Sequence, residues 1–260
     1  MEKTASGPFP GIGLFNLTPF EEQSVRALVF LFAISVAFAA LPALAGKDPG
    51  VIDRDDQAVM ASKAFLDAHP DMKYRTEGFL AYELGDFAEA RTHFLKAAEF
   101  ADKPAQAMLA EMAWKGIGEP ADRAMGYVWA DLAAERGYRQ FVALRERYWS
   151  ELDAAGRERV LMEGVAVMQH YGDASAQPRL ARHLRRARLV MITGRPRKDV
   201  TILVPGKYGM GTWVRGHDFY APKFWEPKQY FEWVDAVWAD PPVENVEVGS
   251  PEGVEAGREG

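Results

Sequence analysis

Five histidines are the residues best suited to metal or acid–base chemistry, and their spacing does not favour either. They are His69, His93, His170, His183 and His217. No two of them lie at metal-ligand spacing, and the sequence has no HExxH or similar helical motif. His217 precedes Asp218, but adjacent side chains rarely face each other, so this pair does not by itself predict catalysis. His93 and His170 fall on predicted helices, where packing or surface roles are the simpler interpretation.

Motifs for nucleophiles and phosphates are missing as well. The chain has no cysteine, which excludes disulfides, thiolate metal sites, a cysteine nucleophile and a lipidated cysteine anchor. No serine stands in a G-x-S-x-G setting. Gly206, Gly209 and Gly211 have a spacing that differs from the dinucleotide-binding fingerprint, and no helix follows them in register. We therefore expect a protein that is not an enzyme and that has no catalytic residue, cofactor or metal site.

Composition and charge are typical of a folded protein without general affinity for nucleic acid. The 260 residues are 48% hydrophobic and 26% charged, enough for one or two domains with a core. The formal net charge of −6 argues against nucleic acid as a partner. Charge is uneven, because residues 179–198 hold eight basic side chains and no acid, whereas residues 240–260 hold six acids against Arg258.

An apolar segment near the start of the sequence predicts export. Residues 27–45 carry no charge, Arg26 precedes them, and Ala43-Leu44-Ala45 has the small residues of a cleavage site. We expect residues 1–45 to be a signal peptide and the mature protein to lie in a bacterial periplasm. The alternative is an inner-membrane anchor formed by residues 27–45, since nineteen residues can just span a bilayer. The acidic residues before Arg26 are unusual for a leader and leave the translation start open.

Helical periodicity continues from there to Tyr171. The pattern predicts helices over 53–68, 72–84, 87–101, 140–152 and 157–171, with two more inside 105–137. Gly85 and Asp86 predict a tight turn that ends one helix and caps the next. The sequence thus predicts helical hairpins placed one after another.

Residues 105–137 repeat the plan of the preceding hairpin. An aspartate, three alanines and a glutamate recur 36 positions later: Asp86, Ala88, Ala97, Ala98 and Glu99 correspond to Asp122, Ala124, Ala133, Ala134 and Glu135. A fixed period in the thirties with one hairpin per unit is typical of an α-solenoid. We expect the paired alanines to let helices approach closely and Trp129 to fill the space between hairpins.

The same residues resemble a Sel-one-like repeat, a tetratricopeptide relative with a longer loop. The resemblance is carried by Gly116, Gly118, Asp122, Ala124, Trp129, Ala133, Ala134 and Gly137. The preceding unit is closer to an ordinary tetratricopeptide, because it has a short turn and His93 in place of the tryptophan. Such repeats generally mediate assembly, so the resemblance implies a scaffold that binds a protein partner; the residues themselves show only an array that can fold.

After the array, the sequence predicts a basic helix and an aromatic C-terminal segment. Pro178 is expected to open the helix, which presents Arg179, Arg182, Arg185 and Arg186, with Leu180, Leu184 and Leu189 on another face. A short hairpin should follow over residues 200–204 and 212–215. Phe219, Tyr220, Phe224, Trp225, Tyr230, Phe231, Trp233 and Trp238 then precede a proline- and acid-rich tail that we expect to be disordered. The rings either cover the open end of the array or form a groove for sugar or peptide.

The predicted fold is therefore mainly α: a short α-solenoid of three hairpins, a basic helix, and an irregular, β-containing aromatic end with a helix. The predicted segments are 1–45 (leader), 46–71 (helix and linker), 72–172 (repeats), 173–192 (basic helix), 193–240 (aromatic segment) and 241–260 (tail).

The predicted function is an exported, non-catalytic scaffold for an unidentified protein partner. The alternative is an envelope-binding module that contacts peptidoglycan or anionic lipid through the arginines or through Trp225 and Trp233. A hydrolase with an unrecognised site is the weakest alternative.

Overall fold

The computed structural model describes residues 50–192, 199–206 and 211–239, and it is mainly helical. The helices are α1 (Arg54–Met60), α2 (Lys63–Ala68), α3 (Pro70–Glu83), α4 (Phe87–Ala98), α5 (Lys103–Lys115), α6 (Arg123–Ala134), α7 (Arg139–Glu151), α8 (Ala154–Tyr171), α9 (Asp173–Ile192), α10 (Gly216–Phe219), α11 (Pro222–Trp225) and α12 (Pro227–Ala239). The strands are β1 (Thr201–Pro205) and β2 (Gly211–Arg215). The predicted mainly α fold class, with a small strand segment near its end, is confirmed.

Two parts of the sequence prediction lie outside the described residues. These are the leader over 1–45 and the tail over 241–260. Within the described ranges, no helix combines the length and apolar character that a membrane span requires.

The first hairpin is α3 packed against α4. Gly85 has a left-handed backbone (φ +78°), and the Asp86 carboxylate accepts the backbone N–H of Glu89 at 3.1 Å, so the predicted turn and cap are both present. The second helix ends at Ala98 and not at the predicted Ala101. Ala101 itself has φ +61°, which no α-helix accommodates, and this residue redirects the chain toward α5.

The second hairpin, α5 and α6, has the longer loop that the sequence predicts. Gly116 and Gly118 are both left-handed, at φ +72° and +76°. A Cβ on Gly118 would lie 2.8 Å from the Cβ of Phe87, so the loop packs closely on the first hairpin. Asp122 caps α6 by accepting the N–H of Met125 at 3.0 Å.

The third pair, α7 and α8, packs on the second hairpin. Both helices contact α6. Tyr148 of α7 stacks on Trp114 with ring centroids 3.9 Å apart, and Tyr171 of α8 lies 4.8 Å from Trp129. Helix α8 starts at Ala154, earlier than the predicted Arg157, because Asp153 caps it.

A second core joins both ends of the described chain. Its buried residues come from α1 to α3, α9, the hairpin and α10 to α12: Val59, Phe65, Leu66, Ala68, Met72, Leu180, Leu184, Val204, Val214, Phe219, Phe224, Trp225, Tyr230 and Trp233. The segments predicted separately as 46–71 and 193–240 therefore share one hydrophobic core, and α9 lies across it.

The prediction of a single helix over 53–68 is wrong, since one helix ends at Met60 and the next begins at Lys63. Ser62 is the reason. Its hydroxyl caps α2 by accepting the N–H of Phe65 at 3.2 Å, and its backbone forms an antiparallel bridge with Gly206 after β1.

The predicted start of the basic helix at Pro178 is also wrong. Helix α9 begins at Asp173 and Pro178 lies inside it. Arg136 and Lys103 hold the carboxylate of Asp173 at 2.7 and 3.0 Å, which anchors the first turn from outside the helix. The proline removes one backbone donor from the helix interior.

Candidate interaction surfaces and a buried charge network

The residues predicted to shape the repeats are packing residues. Ala97, Ala98, Ala124, Ala133, Ala134 and Trp129 are buried, and Gly137 is left-handed at φ +74°. Beside α6, the backbone of Trp114 approaches Gly126 so closely that a Cβ there would lie 3.0 Å from its nitrogen. Small residues thus set the spacing between α5 and α6, and they leave no polar group free for recognition.

The arginines of α9 divide into a paired and an exposed set. Arg179 forms an ion pair with Glu99 and also donates to the carbonyl oxygen of His170. Arg182, Arg185 and Arg186 are exposed, and no carboxylate among the described residues pairs with them. These last three are the part of the predicted basic surface that a ligand can reach.

Trp225 and Trp233 are not on the surface, so their prediction as binding residues is wrong. Both are buried in the second core. The indole N–H of Trp225 donates to the carbonyl oxygen of Phe219 at 2.5 Å, and Trp233 packs edge-on against Phe224 with centroids 5.2 Å apart. The rings are buried because α1 and α2 supply the apolar surface that covers them. The exposed tryptophan is Trp213 of β2, which the sequence pattern did not single out.

A buried charge network lies where the repeats meet the second core. Arg75 of α3 pairs with Asp102 at 2.8 Å, and both side chains are almost fully buried. Lys103 is buried as well and contacts Glu135 at 2.8 Å and Asp173 at 3.0 Å. The network ties α3, α5 and α9 together. Sequence reasoning missed it, because each of these residues looks like an ordinary surface charge in its own helix.

Burial controls protonation in this network. It raises the pKa of Asp102 to about 6, although the charge of Arg75 opposes the effect. It raises the pKa of Asp71 as well, whose carboxylate accepts the hydroxyl of Tyr230 at 2.5 Å. The Arg136 guanidinium has the opposite effect on Asp173 and holds that pKa below its usual value despite partial burial.

The space beside the network has room for about one water molecule. It is lined in part by Asp71, Arg75, Asp102, Arg136 and Trp238. Shifted pKa values often indicate active sites, but structural ion-pair networks shift them too. We interpret these charges as a connection between the two cores.

His69 is held between two carbonyl oxygens in the second core. Its Nδ1 lies 2.8 Å from the carbonyl oxygen of Phe65 and its Nε2 lies 2.7 Å from that of Phe224. Burial lowers its pKa to about 4, against the effect of both carbonyls. The ring is therefore neutral at physiological pH and donates to only one of the two oxygens. With both nitrogens facing backbone, His69 connects α2 to α11 and is not a ligand.

Three of the other histidines each lie near a carboxylate. His93 lies 2.9 Å from Glu89 and His170 lies 2.8 Å from Glu99. His217 does approach Asp218, at 3.4 Å, on an exposed turn. In the described part of the chain, no group of three or more histidine, aspartate and glutamate side chains could hold a metal ion.

An apolar stripe on α8 is the largest group of exposed, large hydrophobic side chains in the repeats. Leu161 is 73% exposed, Met162 66% and Val165 54%. Their spacing places them on one side of the helix. On the other side, Gly164 faces Val128 of α6. Sequence reasoning treated α8 only as a partner helix, although the run Val160-Leu161-Met162 was the available signal.

No family model, curated protein or solved structure matches this chain.

Proposed function

We propose that this chain is an exported, non-catalytic scaffold of the bacterial cell envelope whose helical repeats bind a protein partner. The observation that carries this proposal is the exposed stripe of Leu161, Met162 and Val165 at the end of the array. Contiguous exposed apolar side chains on a folded protein mark interaction sites more often than isolated ones do.

The position of the stripe supports a protein as the partner. In an array of hairpins, each unit covers the apolar side of the unit before it. Helix α8 packs on α6 through Gly164 and Tyr171, and helical spacing places the stripe on a different side, which is open to a further unit. An amphipathic helix from another protein fits such a surface.

Charged groups beside the stripe give it a polar rim. Arg159 lies between Asp122 at 2.8 Å and Glu163 at 2.8 Å, so these charges are already paired when a partner arrives. An apolar centre with a satisfied polar edge is the usual anatomy of a protein interface. The resemblance to a Sel-one-like repeat agrees with this role.

Site-specific photo-crosslinking in intact cells tests the proposal. A photoreactive amino acid at position 161 or 165 should give one discrete adduct, because both positions face the same partner. The control is position 84, since Leu84 is 77% exposed and lies at the end of α3, outside the stripe. The same adduct from position 84, or no adduct from 161 and 165, would contradict a partner on the stripe.

Cell fractionation tests export separately. The proposal expects the protein in the envelope fraction, with its N-terminus after Ala45 or with residues 27–45 in the inner membrane. A cytoplasmic protein that still begins at Met1 would contradict export and leave the stripe to be judged by crosslinking alone.

A further inference from the structure

We infer that a second surface docks this protein on an anionic lipid bilayer. This docking surface consists of Arg182, Arg185, Arg186 and Leu189 on α9 together with Leu203 and Trp213 on the hairpin. It is separate from the stripe on α8, so the two inferences stand or fall independently.

The α9 part of the docking surface is a basic helix face. Arg182, Arg185, Arg186 and Leu189 follow the spacing i, i+3, i+4 and i+7, which places them on one side of the helix. The opposite side holds Leu180 and Leu184, both buried in the second core. Leu189 is 70% exposed, so its predicted place on the other face is wrong.

Three cations and one apolar side chain thus face outward together. A cluster of exposed arginines is attracted to the anionic headgroups of a bilayer.

The hairpin supplies the aromatic part. Leu203 and Trp213 are directly paired across the two strands and are 53% and 67% exposed. An indole with one apolar and one polar end is suited to the headgroup region.

Two acids beside the hairpin share one cation, and Asp199, two residues before β1, is an exposed acid. Asp55 and Asp218 both pair with Arg215, at 2.9 and 2.6 Å. They therefore repel an anionic surface less than free carboxylates would.

Both parts of the docking surface belong to one region of the fold. Helix α9 and strand β1 each contact α2, which has six residues and is about 9 Å long. Each arginine near an anionic surface contributes about a fivefold gain in affinity, and the apolar side chains add to this by entering the interface. Charge complementarity favours anionic over zwitterionic lipid.

The absence of cysteine makes a direct test possible. The full chain is expressed with a single cysteine, either Leu189→Cys or Trp213→Cys. The purified variant is then labelled at that cysteine with an environment-sensitive dye. Vesicles are phosphatidylcholine alone or phosphatidylcholine with phosphatidylglycerol. The dye emission should rise on anionic vesicles only and should fall again as salt is added, because salt screens the attraction.

Control labels separate this docking from any attachment through residues 27–45, which would affect all positions alike. Leu84→Cys and Leu161→Cys are exposed positions outside the docking surface and should not respond. No response at 189 and 213 on anionic vesicles, or an equal response on neutral vesicles, would overturn the inference.

A charge-reversed pair tests the arginines. The double variant Arg185→Glu and Arg186→Glu should lower the affinity for anionic vesicles by about thirtyfold or more, as measured with the dye at position 189. The control pair, Lys96→Glu with Arg139→Glu, changes the net charge by the same amount at exposed sites in the repeats. This pair should leave the affinity for anionic vesicles unchanged. Equal loss from both pairs, or a response to purified cell wall in place of vesicles, would refute lipid docking.

Discussion

Asp102→Asn should make the free energy of unfolding less dependent on pH. The asparagine oxygen can still accept the backbone N–H of Ala105, which Asp102 accepts at 2.8 Å, so the cap on α5 is kept while the titrating group is removed. Burial raises the pKa of Asp102 from 3.8 to about 6. That difference corresponds to about 3 kcal/mol.

The direction follows from where the proton is held. The folded protein keeps the proton on Asp102 to a higher pH than the unfolded chain does. The stability gained from binding this proton is complete below pH 3.8 and is lost as pH rises to about 6. The wild type should therefore lose about 3 kcal/mol relative to Asp102→Asn across that range. Urea unfolding of both proteins, followed by tryptophan fluorescence from about pH 3.5 to about pH 7, measures the difference.

Asp122→Asn is the matched control, because Asp122 caps α6 in the same way at 3.0 Å. Here Arg159 lowers the pKa of the carboxyl group, so the ionised form stabilises the fold above the ordinary value and this effect is lost as pH falls. The variant should lose stability relative to wild type as pH rises, with a small amplitude because the side chain is 36% exposed. If Asp102→Asn behaves like Asp122→Asn, the ion pair with Arg75 outweighs burial and the reasoning is refuted.

Three further predictions concern packing and protonation. Ala134→Leu should destabilise the repeats by about 1–3 kcal/mol, and an unchanged melting temperature would contradict the close helix contact. Gly118→Ala should cost more than Gly85→Ala in chemical unfolding, because both have positive φ but only Gly118 lies against another residue; equal costs would show that Phe87 yields. His69 should stay neutral above about pH 5 by nuclear magnetic resonance titration, and a transition near 6.5 would contradict its burial.

Local signals in the sequence were enough to predict most of the repeats. Gly85, Asp86 and Asp122 act on backbone groups within a few positions, so a turn or a cap can be recognised without knowledge of the fold. The hairpin was predicted for the same reason, since a β-type run and nearby glycines suffice to indicate it.

Errors arose where a distant segment outweighs a local preference. Ser62 breaks a helix because Gly206 pairs with it, and α9 starts before Pro178 because Arg136 and Lys103 hold Asp173. Each depends on a contact between segments that are far apart in the chain, and a periodicity of three to four residues carries no information about such contacts.

The mainly α fold class, the hairpin turns and the arginine-rich face of α9 follow from local sequence patterns. The burial of the tryptophans, the pairing of the arginines and the position of the interior charges depend on the tertiary structure. His69 meets Phe224 across 155 positions, and Tyr230 reaches Asp71 across 159. Burial is a property of both partners in such a contact, so neither segment alone can reveal it.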